Sequence, residues 1–180
     1  MSASPELGTP GTVLAGPELL RAVFRRHAAG VAVITAARGG RPAGLTATSL
    51  ASVAAEPPIV SFGVGTGSSS WPVLAEAVHV GVHILAENQR ELAATFARSG
   101  ADRFAPPTRW TTGPEGVPLL EGVLGWLVCR VVARVPAGDH RVFLAEAVAG
   151  DVAGEAVVGD AAEAGRPLLY HQGRFNALRD

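Results

Sequence analysis

Four small hydroxyl side chains lie close together in the segment 43–53, at Thr46, Thr48, Ser49 and Ser52. A strand that served only a core would carry Val or Ile at several of these positions. Small side chains instead let a flat ligand approach the main chain, whose N–H and C=O groups can hydrogen-bond to a heteroaromatic edge. The alternative is a half-exposed strand in which Thr shows its normal β-propensity.

The segment "GVGTGSSS" (63–70) has a composition that suits an anion. Its three glycines permit tight backbone turns, and Pro72 follows where a helix would begin. Serine hydroxyls and the N–H groups at a helix start can bind a phosphate. The segment matches neither a Walker A motif, which needs a lysine, nor a GxGxxG dinucleotide motif. A flexible loop without a ligand is the alternative interpretation.

The histidines offer few combinations for catalysis or metal binding. His140 ends the turn "GDH", where it is either functional or simply solvated. His79 and His83 share one face of a predicted strand, but no cysteine or clustered carboxylates accompany them, so no metal site is predicted. All 15 basic residues are arginine, which excludes Schiff-base lysines and Ser-Lys dyads. The GxSxG elbow of serine hydrolases is also missing.

The sequence pattern predicts which helices and strands position these residues. An amphipathic helix is predicted over 17–29, a short helix over 70–78, and a third over 88–100, where Asn88 and Glu91 have capping-box spacing. Strands are predicted at 31–37, on both sides of 54–58, at 79–86, at 123–136, as a pair within 141–157, and at 167–171. Residues 101–122, rich in Pro, Gly and Thr, are predicted to form a long irregular loop. The fold class is therefore mainly β, an antiparallel barrel with a few short flanking helices.

The strand at 123–136 predicts a second subunit, because it is apolar on both faces. One face carries Leu124, Trp126, Val128 and Val132, and the other carries Leu127, Cys129 and Val131. One face can fill the barrel, whereas the other would be an aggregation hazard if it stayed exposed. We therefore expect a homodimer.

Length and composition limit the remaining possibilities. The chain has 180 residues, which suits one domain at 17–180 behind a flexible tail at 1–16. A net charge of −1 without a basic stripe argues against nucleic-acid binding. Apolar runs are too short to span a bilayer, so no membrane association is expected. A single cysteine fits a reducing cytoplasm.

Six motifs occur in a recognisable order along residues 17–176. They are "GLTATSLASV" with "EPP" and "SFGVG", "SSSWPVL", "HVGVHILAENQRELAATFA", "DRF", "GDHRVFLAEAV" and "PLLYHQGRF". In this order they resemble the short-chain flavin reductases, the reductase components of two-component flavin-dependent monooxygenases. The resemblance implies an FMN-binding split β-barrel, usually dimeric. It further implies hydride transfer from NADH or NADPH to FMN or FAD, with a separate monooxygenase receiving the reduced flavin.

The same resemblance gives roles to individual residues. The residues that border the isoalloxazine or pass beside it are Thr46, Ala47, Thr48, Ser49, Ser52, Val53, Gly63, Val64 and Gly65. Those on the ribityl and phosphate side are Ser68, Ser69, Ser70, Phe96, Ala97, Arg103 and Phe104. The nicotinamide pocket is lined by Tyr170, His171, Arg174 and Phe175, with His140 as the candidate catalytic residue that orients the ring.

The chain departs from the commoner family pattern at several positions. Thr48 and Leu50 stand where Asn or Ser and Phe are frequent, and only serines stand near Ser68, where Arg or Lys is frequent. The sequence does not decide between FMN and FAD or between NADH and NADPH. It leaves three alternatives: a non-catalytic flavin-binding split barrel, an oxidase-like split barrel with another substrate, and a barrel-shaped interaction module without a cofactor.

Overall fold

The computed structural model describes residues 15–153 and 165–178, which contain twelve strands, three short α-helices and one turn of 3₁₀ helix at Pro114–Gly116. The helices are α1 (Pro17–Phe24), α2 (Trp71–Leu74) and α3 (Arg90–Ala97). The strands are β1 (Ala29–Gly30), β2 (Ala32–Arg38), β3 (Arg41–Ala47), β4 (Ala51–Ala55), β5 (Pro58–Gly65), β6 (His79–Ile84), β7 (Trp110–Thr112), β8 (Pro118–Leu120), β9 (Gly125–Ala137), β10 (His140–Val152), β11 (Leu168–His171) and β12 (Arg174–Ala177). Within these residues no helix has the length and apolar character needed to cross a membrane. Of the predicted tail, positions 1–14 lie outside the described residues.

One large antiparallel sheet dominates the fold, with seven strands in the order β3-β2-β6-β9-β10-β5-β4. Two smaller antiparallel sheets, β1-β11-β12 and β7-β8, pack beside it. The large sheet curls until Ser49, just after β3, accepts a hydrogen bond from the Gly63 N–H in β5 at 2.9 Å. The prediction of a mainly β, antiparallel barrel is confirmed.

The barrel interior is filled from alternate positions of its strands. Phe62 in β5 stacks on Phe143 in β10 with ring centroids 5.1 Å apart, and Trp71 meets Phe143 edge-on. Phe62 and Val64 are both buried, so the intervening residues of β5 point to the opposite side of the sheet. That side carries Gly63 and Gly65, which places two residues without side chains on the surface that becomes the candidate site.

The second face of β9 is covered largely by the same chain. Val117 and Leu119 from the β7–β8 region form a cluster with Val128, and Trp126 packs against that cluster. The sequence predicted an irregular loop over 101–122 and so missed this hairpin. Val132, by contrast, is 52% exposed, because it is the extra residue at a bulge between β9 and β10.

Several predicted element boundaries are wrong for identifiable reasons. The helix predicted over 17–29 ends at Phe24, because Ala29 and the next residue pair with β11. Asn88 does not cap α3: the chain makes a turn closed by the Gln89 N–H to the Ala86 carbonyl, and the helix starts one residue later. Of the strand pair predicted within 141–157, positions 154–157 lie outside the described residues, and the described part forms one 13-residue strand that continues through two bulges. The strand β12 was not predicted.

Candidate functional site

A cavity of about 320 Å³ lies where β3, β5, the end of α3 and the start of β10 meet. We call it the central cleft. Its lining consists of Leu45, Thr46, Gly63, Gly65, Gly67, Ser68, Ser69, Phe96, Ala97, Ser99, Arg103 and His140. Segments from four separate parts of the sequence thus meet around one cavity.

The floor of the central cleft is a strand surface without side chains. A Cβ atom on Gly63 would lie 3.5 Å from the Ser49 hydroxyl, and one on Gly65 would lie 3.5 Å from His140 Nε2. Both distances are ordinary contacts, so the chain itself does not require glycine there. The glycines instead keep space above the strand free, which is the shape that a flat ring needs.

His140 forms one wall of the cleft and is held by its neighbour in sequence. Its Nδ1 lies 2.7 Å from the Asp139 carboxylate, and because an ionised carboxylate only accepts, Nδ1 is the donor. The other ring nitrogen, Nε2, is thereby left to face Gly65. The hydrogen bond from His140, followed by the charge of that ring, lowers the pKa of Asp139. Thr66 fixes the turn by donating from its backbone and its hydroxyl to the Asp139 carbonyl.

Arg103 lines the cleft beside the serines, and its guanidinium connects the end of α3 to the segment 68–70. It donates to the carbonyls of Phe96 and Arg98 at the end of α3, and to the hydroxyls of Ser69 and Ser70. The side chain is largely buried and forms no ion pair with the described residues, and burial lowers the pKa of its guanidinium. A buried positive charge with no anionic partner makes this end of the cleft attractive to an anion.

The three predicted phosphate-side serines differ in what their hydroxyls do. Ser70 is 1% exposed, and its hydroxyl donates to the Gly44 carbonyl while accepting from Arg103. The Ser68 hydroxyl accepts from the Ser70 N–H, and the Ser69 hydroxyl accepts from Arg103. Ser68 and Ser69 line the cleft, whereas Ser70 holds the loop in place. The helix that follows, α2, has only four residues, so its dipole adds little to anion binding.

A second cavity, of about 650 Å³, lies on the other side of Ser49. We call it the outer groove. It is bounded by α1 with the residues just after it, by residues 48–51, and by residues 170–173. The predicted residues Thr48, Ser49, Tyr170 and His171 line this groove and not the central cleft.

The remaining predicted site residues line neither cavity. Ala47 and Val64 are buried in the barrel core, Ser52 and Val53 lie exposed on the edge strand β4, and Phe104 packs between Phe96 and Trp110. Arg174 is exposed, and Phe175 packs edge-on against Tyr170. Thr46 does line the cleft, but its hydroxyl donates to the Ala93 carbonyl and so ties β3 to α3.

Sequence reasoning missed several lining residues. In the central cleft these are Leu45, Gly67 and Ser99. In the outer groove the missed side chains with charge or aromatic surface are Arg21, Phe24, Arg25 and His27, and the other missed residues are Ala29, Leu50, Ala51, Gln172 and Gly173. Four of those in the outer groove lie on or just after α1, which the sequence predicted only as an amphipathic helix, without a role in the site. None of the residues of α1 is buried, so its side chains are free to line a groove. The sequence pattern of an amphipathic helix does not show this exposure.

The sequence of this chain is similar to those of known proteins over most of its length. The family model described as a flavin reductase like domain matches residues 24–179. An NADH:FMN oxidoreductase of Rhodococcus erythropolis is 41% identical over 175 residues, which cover 97% of this chain and 86% of the relative. The reductase component of a 4-nitrophenol 4-monooxygenase/4-nitrocatechol 2-monooxygenase from Rhodococcus opacus is 37% identical over 155 residues, covering 86% of this chain and 77% of the relative.

The fold of this chain is also similar to that of a solved structure. An NADH:FAD oxidoreductase of Streptomyces globisporus C-1027, in complex with NAD and FAD fragments, superposes with a TM-score of 0.80 at 30% identity. The match covers 93% of this chain and 98% of that one. Matched in sequence over nearly its whole length and in fold to such proteins, the chain belongs to the flavin reductase family.

Proposed function

We propose that this protein is an NADH-dependent flavin reductase whose flavin, FMN or FAD, lies in the central cleft. The observation that carries this placement is the bare surface at Gly63 and Gly65, with His140 and the buried Arg103 also lining the cleft. A heteroaromatic ring fits the bare surface, and a phosphate fits the end with Ser68 and Ser69. One cavity thus offers both a surface for the flavin ring and hydroxyl groups for its phosphate.

Arg103 and the serines form the proposed phosphate anchor. Ser68, Ser69 and Ser99 line the cleft and have hydroxyls to offer to phosphate oxygens. Arg103 supports them, since its guanidinium is already bonded to two carbonyls and two hydroxyls. Ser70 positions the loop and does not contact the ligand, because its hydroxyl is buried and engaged. This revises the role that the sequence suggested for Ser70.

His140 is the proposed orienting residue for the nicotinamide. When bound, the flavin supplies the acceptor for the hydride of NADH, so the protein needs no nucleophile of its own. The chain must hold the two rings at a reactive distance and angle. Asp139 fixes the His140 ring so that Nε2 faces the cleft. Ser49 lies between the central cleft and the outer groove, and the proposed nicotinamide pocket extends from His140 past Ser49 towards Tyr170 and His171 on the β11 side of that groove.

We also propose a partner protein, an oligomeric state and a cellular location for this enzyme. Reduced flavin is released to a separate monooxygenase, as expected for a protein that resembles a reductase component. The protein forms a homodimer, supported by Val132, Val135 and Val148, which stay about half exposed on β9 and β10. A cytoplasmic location is supported by the unpaired, buried Cys129 and by the use of NADH. Residues 17–180 act as one flavin reductase domain.

Filling the bare surface tests the placement of the flavin. In Gly65→Val the new side chain starts at an ordinary contact distance from His140, so the fold is kept while the cleft is narrowed. If the narrowed cleft costs the bound flavin as much as overpacking costs a core, about 1–3 kcal/mol, the flavin Kd rises by about 5- to 150-fold. Gly30→Val is the matched control, since a Cβ there meets nothing within 4 Å. Fluorescence titration with FMN measures both, and equal Kd values would place the flavin elsewhere.

A further inference from the structure

The outer groove carries four basic side chains, two on α1 or at its end and two histidines. Arg21 and Arg25 line it from the α1 side together with His27, and His171 lines it from β11. No Asp or Glu is among the lining residues. In a protein of net charge −1, a cavity wall with basic groups and no acidic ones is a local feature that favours an anionic ligand.

Both arginines are available to a ligand. Neither Arg21 nor Arg25 forms an ion pair with the residues that the structure describes, and both side chains are exposed. They are four positions apart at the end of α1, so they lie on the same side of the chain about one turn apart. The Gln172 N–H donates to the Arg25 carbonyl at 3.1 Å, which holds this end of α1 against the β11–β12 turn.

The same groove presents exposed aromatic surface. Phe24 is 60% exposed although it lies beside the cavity, and its ring meets His27 edge-on at 5.9 Å. Tyr170 lines the opposite wall. Aromatic rings beside paired guanidinium groups suit a ligand that has both a flat base and phosphates. The volume of about 650 Å³ lies within the ordinary range for a small-molecule site.

We propose that Arg21 and Arg25 bind the pyrophosphate of NADH, with the adenine half of the dinucleotide in the outer groove between α1 and β11. This inference rests on the proposed function, because it requires the nicotinamide to lie at the boundary marked by Ser49 and His140. The groove borders that boundary, so one dinucleotide can place its nicotinamide there and its pyrophosphate against the arginines. The helix α1 is then a substrate-binding element whose exposed face has a ligand to contact.

The test is the double variant Arg21→Gln/Arg25→Gln, which keeps side-chain length and removes both charges. Arg26→Gln is the matched control, since Arg26 is the next residue and does not line the groove. Calorimetry with ADP-ribose, which has the pyrophosphate but no nicotinamide, measures binding without catalysis. Charged hydrogen bonds of this kind imply a loss of about tenfold in the double variant, and little change in the control. The loss shrinks as salt is added, because the groups are exposed.

Three further measurements, the KM for NADH, the KM for NADPH and the Kd for FMN, show which phosphate the two arginines contact. The double variant raises the KM for NADH and NADPH by similar factors and leaves the Kd for FMN unchanged. A loss confined to NADPH would mean that the arginines contact a 2′-phosphate, and a loss of FMN binding would mean a flavin phosphate; either result overturns the proposal. Absence of ADP-ribose binding by the unaltered protein would overturn it too, while NADH oxidation with added flavin would still support the proposed function.

Discussion

His140 and Asp139 are the residues through which the proposed site distinguishes its two ligands. The ring is fixed by Asp139 and faces Gly65, but it is only one wall of the central cleft. In His140→Ala, a lost hydrogen bond of about 0.5–1.5 kcal/mol weakens NADH use several-fold. Flavin affinity stays nearly unchanged. Steady-state kinetics beside flavin titration measures both quantities, and the opposite pattern, with flavin binding abolished and NADH kinetics intact, would show that the two pockets are exchanged.

His83 makes stability depend on pH through a single buried group. It is fully buried, Nδ1 bonds to the Val33 carbonyl at 3.1 Å, and Nε2 has no partner among the described residues. Burial lowers the pKa of His83 to about 4 from its ordinary value of 6.5. Between these values the unfolded chain binds a proton that the folded chain refuses, so stability is complete above pH 6.5 and is lost as the pH falls towards 4.

The size of this effect is open to direct measurement. From pH 7 to pH 5 the unaltered protein loses about 2 kcal/mol of unfolding free energy through this histidine. His83→Gln removes that contribution whatever its own stability, so urea unfolding at both pH values gives a smaller difference for the variant. If the two proteins lose the same amount, His83 is not the group responsible.

At the scale of elements, the segment 68–70 depends on α3 for its shape. Ser69 lines the cleft, whereas Ser70 bridges Gly44 and Arg103 in the interior. Ser69→Ala therefore weakens FMN several-fold relative to riboflavin, which has no phosphate, and leaves stability nearly unchanged. Ser70→Ala leaves buried groups unsatisfied and lowers the unfolding free energy by about 1–3 kcal/mol. Flavin titrations and urea unfolding of both variants measure this, and a reversed assignment would refute the division of roles.

The local features of the fold and of the candidate site could be predicted from the sequence, whereas features that depend on residues far apart in the chain could not. Alternation along β5 predicts that Gly63 and Gly65 share one face, because a strand has a period of two. The role of Ser70 could not be predicted, since it depends on Arg103, which is 33 residues away. The apolar face of α1 was predictable from the sequence, but its surroundings were not. No residue of α1 is buried, and the residue after the helix, Arg25, accepts a hydrogen bond from the Gln172 N–H at the β11–β12 turn. The β7–β8 hairpin was missed because its strands are only three residues long.

At the scale of the whole molecule, the sheet leaves apolar surface that one chain does not cover. Val132 and Val148 are bulge residues that project from β9 and β10, and with Val135 they are about half exposed. We expect light scattering at micromolar concentration to give twice the chain mass of 18.4 kDa. The double variant Val132→Lys/Val148→Lys shifts the protein towards monomer, because each lysine would have to be buried in the interface. A monomeric mass for the unaltered protein would contradict the homodimer.

This protein is a flavin reductase that takes hydride from NADH, and we propose that its flavin is held in the central cleft. The most direct measurement follows NADH oxidation by the loss of reduced-nicotinamide absorbance, with FMN, FAD and riboflavin supplied in turn to the folded protein. We expect a rate that requires both the protein and a flavin, and that falls in Gly65→Val while Gly30→Val keeps the unaltered rate. A folded protein that does not accelerate NADH oxidation with any of the three flavins would show that this chain is not a flavin reductase.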